Sequence, residues 1–232
     1  SMASSAKLPL VKALLRETLT VLDPEDTVSV VTYAGSTGVR LEPTPVSERR
    51  TIEQVIDSFE AGGSTAGAAG ITLAYEQAQA GFIEGGINHV LLCTDGDFNV
   101  GISGTDSLVD LIVEKRKTGI TLTVVGFGTG NLNDEMMELV SNAGNGVYAV
   151  ISDEDQAVLY AQKRMLSTLV LIAQDVKIQV ELNADHVVAY RLLGYENRAI
   201  EDDQFRDDKV DAGEVGAGHT VTALYELALS EA

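Results

Sequence analysis

The feature that most constrains this chain is an abrupt change at residue 94. Residues 90–93, Val-Leu-Leu-Cys, form a short apolar run suited to a strand buried on both faces, and the chain then breaks into Thr94, Asp95, Gly96 and Asp97. A buried strand thus delivers carboxylates to its own C-terminal edge. In an open parallel α/β sheet that edge is where ligands bind. Two hard oxygen anions beside a hydroxyl suit Mg²⁺ or Mn²⁺ better than a softer metal. A divalent cation site is the first expectation; the alternative is that Asp95 and Asp97 only cap a loop.

The flanking pattern says what kind of sheet holds this strand. Leu8, Val11, Leu14, Leu15, Leu19 and Leu22 recur at helical spacing over residues 7–22, with Ser4 or Ser5 as cap and Pro9 in the first turn. Residues 27–34 are β-branched and strand-like. The four residues that follow are too few for a crossover helix, so residues 39–42 should pair antiparallel with that strand. Ser47 can cap a helix to about residue 59. A glycine-rich break at 61–67 then leads into a small-residue helix at 68–82, slim enough to pack closely on the sheet. Further helices are expected at 106–117, 134–142 and 152–170, the last opened by Ser152 with Asp155, and further strands at 120–126 and 147–151. This alternation predicts an α/β fold over residues 1–170, a doubly wound, mostly parallel sheet with helices on both faces.

Beyond residue 170 the grammar changes. Residues 176–182 alternate apolar and polar, and 186–193 and 219–229 read the same way, so residues 171–232 are expected to form an antiparallel β-rich segment. Three such strands make a poor independent domain. They are expected to complete a β-sandwich with strands from upstream residues. The acidic stretches at 201–203 and 207–208 lack the glycine-centred order of an EF-hand and read as a solvated loop.

Composition narrows the partners. Thirty-five acidic residues against 16 basic ones give a formal charge of -19, which argues against nucleic acid and anionic membrane surfaces. No apolar stretch is long enough for direct membrane insertion. Cys93 is the single cysteine, so no intramolecular disulfide can form, and its place in a buried strand makes a reactive thiol unexpected.

Gly62-Gly63-Ser64-Thr65, followed about thirty residues later by Thr94-Asp95-Gly96, resembles the von Willebrand factor type A domain and its metal-ion-dependent adhesion site. The wording is also similar to one bacterial branch of that family, through K-L-P-L-V-K at residues 7–12, T-D-G-D-F-N-V-G at 94–101 and G-F-G-T-G-N at 126–131. D-V-K-I-Q-V-E at 175–181, Y-R-L-L-G-Y-E-N-R at 190–198 and D-K-V-D-A-G-E-V-G-A-G-H at 208–219 extend the resemblance into the β-rich tail.

In that family a D-x-S-x-S loop, a threonine and an aspartate from three loops hold one Mg²⁺ or Mn²⁺, and a protein partner's Asp or Glu carboxylate completes the octahedron. The resemblance therefore implies Thr65 and Asp95 as metal ligands, with Ser64 and Asp97 further out in the surrounding loops. It implies a first strand, and the aspartate and first serine of D-x-S-x-S, before residue 1. Ser1-Met2 reads either as the end of an S-G-S-M motif, which would make Ser1 the last serine ligand, or as residues left by cloning. The implied activity is metal-dependent protein binding rather than catalysis, and the implied setting the bacterial cell envelope or periplasm.

Other chemistries fit less well. G-F-G-T-G-N lacks the G-x-G-x-x-G spacing of a dinucleotide loop. Aspartate-based, Mg²⁺-dependent phosphoryl transfer at Asp95 would need a phosphate-anchoring cation, and no loop at this edge offers a lysine or arginine. His89, His186 and His219 do not cluster in a zinc spacing, and there is no G-x-S-x-G elbow. Met136-Met137 reads as helix core. A purely structural role in an envelope protein, with a vestigial metal site, is the principal alternative to adhesion-type binding.

Overall fold

The computed structural model describes residues 2, 7–33, 37–62, 67–95, 104–128, 132–165, 171–194, 200–201, 203–207, 213–217 and 220–230. It divides into two compact units, Ser1–Leu169 and Val170–Ala232.

The first unit is an α/β fold. Helix α1 (Leu8–Val21) leads to strands β1 (Thr27–Thr32) and β2 (Gly38–Pro45), then α2 (Arg49–Asp57), α3 (Gly67–Ala80), β3 (Asn88–Thr94), α4 (Gly104–Arg116), β4 (Ile120–Phe127), α5 (Asp134–Ala143), β5 (Tyr148–Ile151) and α6 (Glu154–Leu159). β3, β4 and β5 form a parallel ladder with β4 in the middle, while β1 and β2 pair antiparallel. Among the described residues no ladder joins the two groups. The link there is a side chain: the Tyr33 hydroxyl donates to the Cys93 carbonyl at 2.5 Å.

The two faces of the parallel sheet are read off by parity, because successive strand residues point to opposite sides. Val90 and Leu92 of β3 and Leu122 and Val124 of β4 pack against Ile71 and Tyr75 of α3, Leu108 and Ile112 of α4, and Met137 and Val140 of α5. Val125 and Phe127, from the opposite parity of β4, pack with Leu10, Val11 and Leu14 of α1 and Ala157 of α6. The sheet is thus covered on both sides, which is why β4 is apolar almost throughout. Each fully buried Leu or Ile in these layers contributes about 1.5–3 kcal/mol. A third cluster, Leu19, Val46, Ile52 and Ile56, seats α2 beside the β1–β2 pair.

Helix ends differ in detail from expectation. A short 3₁₀ turn at Val46–Glu48 takes up Ser47, so α2 starts at Arg49 without a side-chain cap. Asp153, not Ser152, caps α6 by accepting from the Gln156 amide at 2.9 Å, and the helix loosens into a π turn at Tyr160–Arg164. α1 has no side-chain cap at Lys7; Pro9 in its first turn removes one of the orphan donors. Ser4 and Ser5 lie outside the described residues.

Among its described residues the second unit has four strands where three were expected. β6 (Leu171–Val176) pairs antiparallel with β8 (Gly213–Gly216), and β7 (Val187–Leu193) with β9 (Leu224–Leu229). The strand expected at 176–182 sits earlier, and residues 177–183 are irregular. The short Gly-Glu-Val-Gly strand escapes a pattern search because two of its four residues lack side chains to alternate. No helix among the described residues is long and apolar enough to cross a membrane.

Candidate metal centre at the carboxyl edge

Asp95 is the first residue beyond β3, and the parallel register Thr94↔Gly126 places the ends of β3 and β4 side by side. The carboxylate is delivered where the sequence pattern puts it. Thr94 and Asp95 are both buried, at 3% and 7% exposure. A carboxylate this buried needs a compensating charge.

That charge comes in part from Lys7. Its ammonium donates to Asp95 Oδ2 at 3.1 Å. Lys7 immediately precedes α1, and because helices run antiparallel to the strands they cover, the start of α1 lies at the carboxyl edge. Gly128, just past β4, has φ +94°, and a Cβ there would meet Lys7 Cε at 3.0 Å and Cγ at 3.3 Å. The aliphatic stem of Lys7 therefore lies over a glycine whose backbone suits no other residue. Lys7 ties β3 to β4 across this edge.

Tyr33, following β1, closes the third side. Burial first, and then the neighbouring Cys93 and Asp95, push its hydroxyl well above the usual tyrosine range, while a hydrogen bond with Thr94 acts the other way. It remains a protonated donor to the Cys93 carbonyl. Burial pushes the Asp95 carboxyl up, but nearby cations, Lys7 among them, outweigh it and hold the group below its ordinary value. Asp95 is an anion at neutral pH. The Cys93 thiol is pushed up to about 12 by burial, which leaves it inert as a nucleophile.

Of the residues named for the metal site from sequence, the structure describes Asp95 alone; Ser1, Ser64, Thr65 and Asp97 lie outside the described residues. Among the described residues no three His, Cys, Asp or Glu side chains converge as a metal cluster. One expectation is overturned: a lysine does reach this edge. It comes from the chain leading into α1 rather than from a loop after a strand, which is why a search of the strand-end loops passed over it. Its signal was the lysine directly before Leu8-Pro9-Leu10, at the start of an amphipathic helix.

Asp95 is the one described carboxylate at the end of β3; it supplies a buried, ionised hard oxygen of the kind a divalent ion takes, and the Lys7 ammonium already compensates part of its charge.

A parallel α/β sheet clothed on both faces, with an aspartate just past the end of one strand, defines a Rossmann-like class of domains, and in such sheets ligands bind at the carboxyl edge. The family profile of the von Willebrand factor type A domain matches residues 1–164, and the chain belongs to that family. Residues 167–232 match a second profile, the C-terminal region of the uncharacterized protein YfbK. The chain is 42% identical over 230 residues to uncharacterized protein YfbK of Escherichia coli (strain K12), covering 99% of this chain and 40% of that relative's length. Among solved structures, an aerotolerance-related membrane protein from Bacteroides fragilis, carrying multiple mutations to serines, matches at TM-score 0.58 and 20% identity, over 70% of this chain and 92% of that one. The manganese-loaded Plasmodium vivax TRAP protein matches at TM-score 0.52 and 16% identity, over 68% and 67%. These likenesses establish the fold.

Proposed function

We propose that this chain is a metal-ion-dependent protein-binding module, in which Mg²⁺ or Mn²⁺ at the carboxyl edge recruits an Asp or Glu carboxylate from a protein partner. The observation that carries the reading is Asp95: a buried, ionised carboxylate one residue past a parallel strand, held beside a cation. Thr65 and Asp95 would hold the ion, with Ser1 as a third ligand. A bound divalent ion would supply uncompensated positive charge to an incoming carboxylate. The manganese carried by the Plasmodium vivax TRAP protein, which shares the fold, supports the same reading.

This chain's residues prepare the edge. β3 and β4 fix the Asp95 backbone, Tyr33 holds the end of β3 through the Cys93 carbonyl, and burial of Thr94 limits water around the carboxylate. The net charge of -19 disfavours acidic surfaces at large, so a partner carboxylate would be drawn by local charge at the edge.

A second reading follows from the Lys7–Asp95 pair: a scaffold domain of a larger protein in which the lysine replaces the metal permanently. Calorimetry with MgCl₂ and MnCl₂ separates the two, on this chain and on one extended upstream through a D-x-S-x-S loop. The adhesion reading expects binding in the longer chain at least, abolished by Asp95→Ala while the circular dichroism spectrum is unchanged. No binding in either chain would establish the scaffold reading. Mg²⁺-dependent turnover of a generic phosphate ester that dies with Asp95 would overturn both in favour of an enzyme.

A further inference from the structure

We infer that Lys7 is a built-in competitor for the metal: its ammonium pairs with Asp95, and a divalent ion that binds this carboxylate does so against that pair. The inference rests on the metal reading above and adds a residue to it. Three observations carry it. Lys7 Nζ lies 3.1 Å from Asp95 Oδ2, with side-chain exposures of 18% and 9%, so the pair is too buried to be one of the marginal ion pairs of an open surface. The lysine stem is seated over Gly128, whose φ of +94° and missing Cβ leave the slot it occupies. The Lys7 carbonyl also accepts from the Val11 amide at 3.1 Å in the first turn of α1, so the ammonium is tethered near the carboxylate at high effective concentration.

The consequence follows from charge. A divalent cation at Asp95 Oδ2 would take the place that the Lys7 ammonium holds, and at the other carboxylate oxygen it would meet repulsion from that ammonium, so the lysine pair opposes binding either way. The ion's apparent affinity is lowered by the stability of the lysine pair. Lysine suits this role better than arginine would, being a compact point charge on a flexible stem that can swing away, whereas guanidinium would hold the carboxylate bidentately.

The test is manganese calorimetry on the chain extended upstream through a D-x-S-x-S loop and on its Lys7→Gln, Lys7→Arg and Asp95→Asn variants, with thermal unfolding of each at zero and saturating Mn²⁺. Glutamine keeps the stem over Gly128 and removes only the charge. Lys7→Gln is expected to bind Mn²⁺ about tenfold more tightly than the parent, and Lys7→Arg no more tightly than the parent. Without metal, Lys7→Gln should melt a few degrees lower, and saturating Mn²⁺ should abolish that deficit. A purely structural lysine would cost the same with and without the ion. Unchanged or weaker binding in Lys7→Gln, with binding still lost in Asp95→Asn, would overturn the inference and leave the metal reading intact. Binding indifferent to Asp95→Asn, or absent from every variant, would overturn both.

Discussion

His89 shows how one side chain carries a pH response unrelated to the metal edge. It opens β3 at the opposite end of the strand from Asp95, and its Nδ1 lies 2.6 Å from Thr121 Oγ1 on the neighbouring strand. Burial pushes its imidazole down from 6.5 to about 4, so the folded chain keeps it neutral. In the unfolded chain it takes up a proton near 6.5. Between those two values the unfolded state binds more protons, and stability falls as the pH drops from 6.5 towards 4. The residue as a whole is only half-buried, which screens the effect to about 1–2 kcal/mol. Urea unfolding of the parent and His89→Gln chains at pH 7 and pH 4.5 isolates this share, because the carboxylates are common to both. The parent should lose more stability on acidification than the variant, and equal losses would remove His89 from the account. Sequence alone found no zinc spacing around His89. Its pairing with Thr121 depended on the β3–β4 register, which no local pattern encodes.

At the scale of elements, the small-residue helix α3 has the most specific consequence. Gly70 lies so close to Tyr33 that an added Cβ would sit 2.5 Å from Tyr33 Cβ and 2.8 Å from Cγ. Alanine in place of this glycine would gain about 1 kcal/mol of helix propensity, yet it would force apart α3 and the residue that anchors β3 through its hydroxyl. Overpacking of this kind costs about 1–3 kcal/mol and can cost more where the clash is near backbone. Gly70→Ala is therefore expected to destabilise by about 1–2 kcal/mol net. Gly62→Ala, where a Cβ meets nothing within 4 Å, should stay within about 0.5 kcal/mol. Denaturant midpoints for the two variants decide this, and equal midpoints would refute the close packing. The slimness of α3 was legible from its Gly-Ala-Ala-Gly start, as were the apolar strands and the antiparallel β1–β2 pair. Helix ends were less so: Asp153 took the cap that Ser152 was expected to hold, since several polar residues can serve and only the final backbone path selects one.

Across the whole molecule, the two units differ in how their strands are protected. β4 lies between β3 and β5 with helices over both faces, and Ile120, Leu122, Val124, Val125 and Phe127 are all at most 1% exposed. The described residues of the second unit form two two-stranded ladders, with Val188 70%, Tyr190 64%, Leu224 62% and Leu229 67% exposed. An isolated two-stranded ladder is marginal in water, because its hydrogen bonds open without unfolding a core. The alternating sequence of this region promised one buried face, and the described residues show apolar side chains along β7 and β9 that remain exposed. We therefore expect amides in Val187–Leu193 and Leu224–Leu229 to exchange with solvent at least a hundredfold faster than those of Ile120–Phe127 in the 232-residue chain. An upstream segment that completes a sandwich would slow β7 and β9 selectively, because new burial on their apolar faces raises their local opening energy without touching the core around β4. Hydrogen exchange followed by mass spectrometry, on this chain and on one extended upstream, reads both effects. Slow exchange in β7 and β9 of the shorter chain would mean that these ladders are already covered. Unchanged fast exchange in the longer one would direct the search for their cover to another protein.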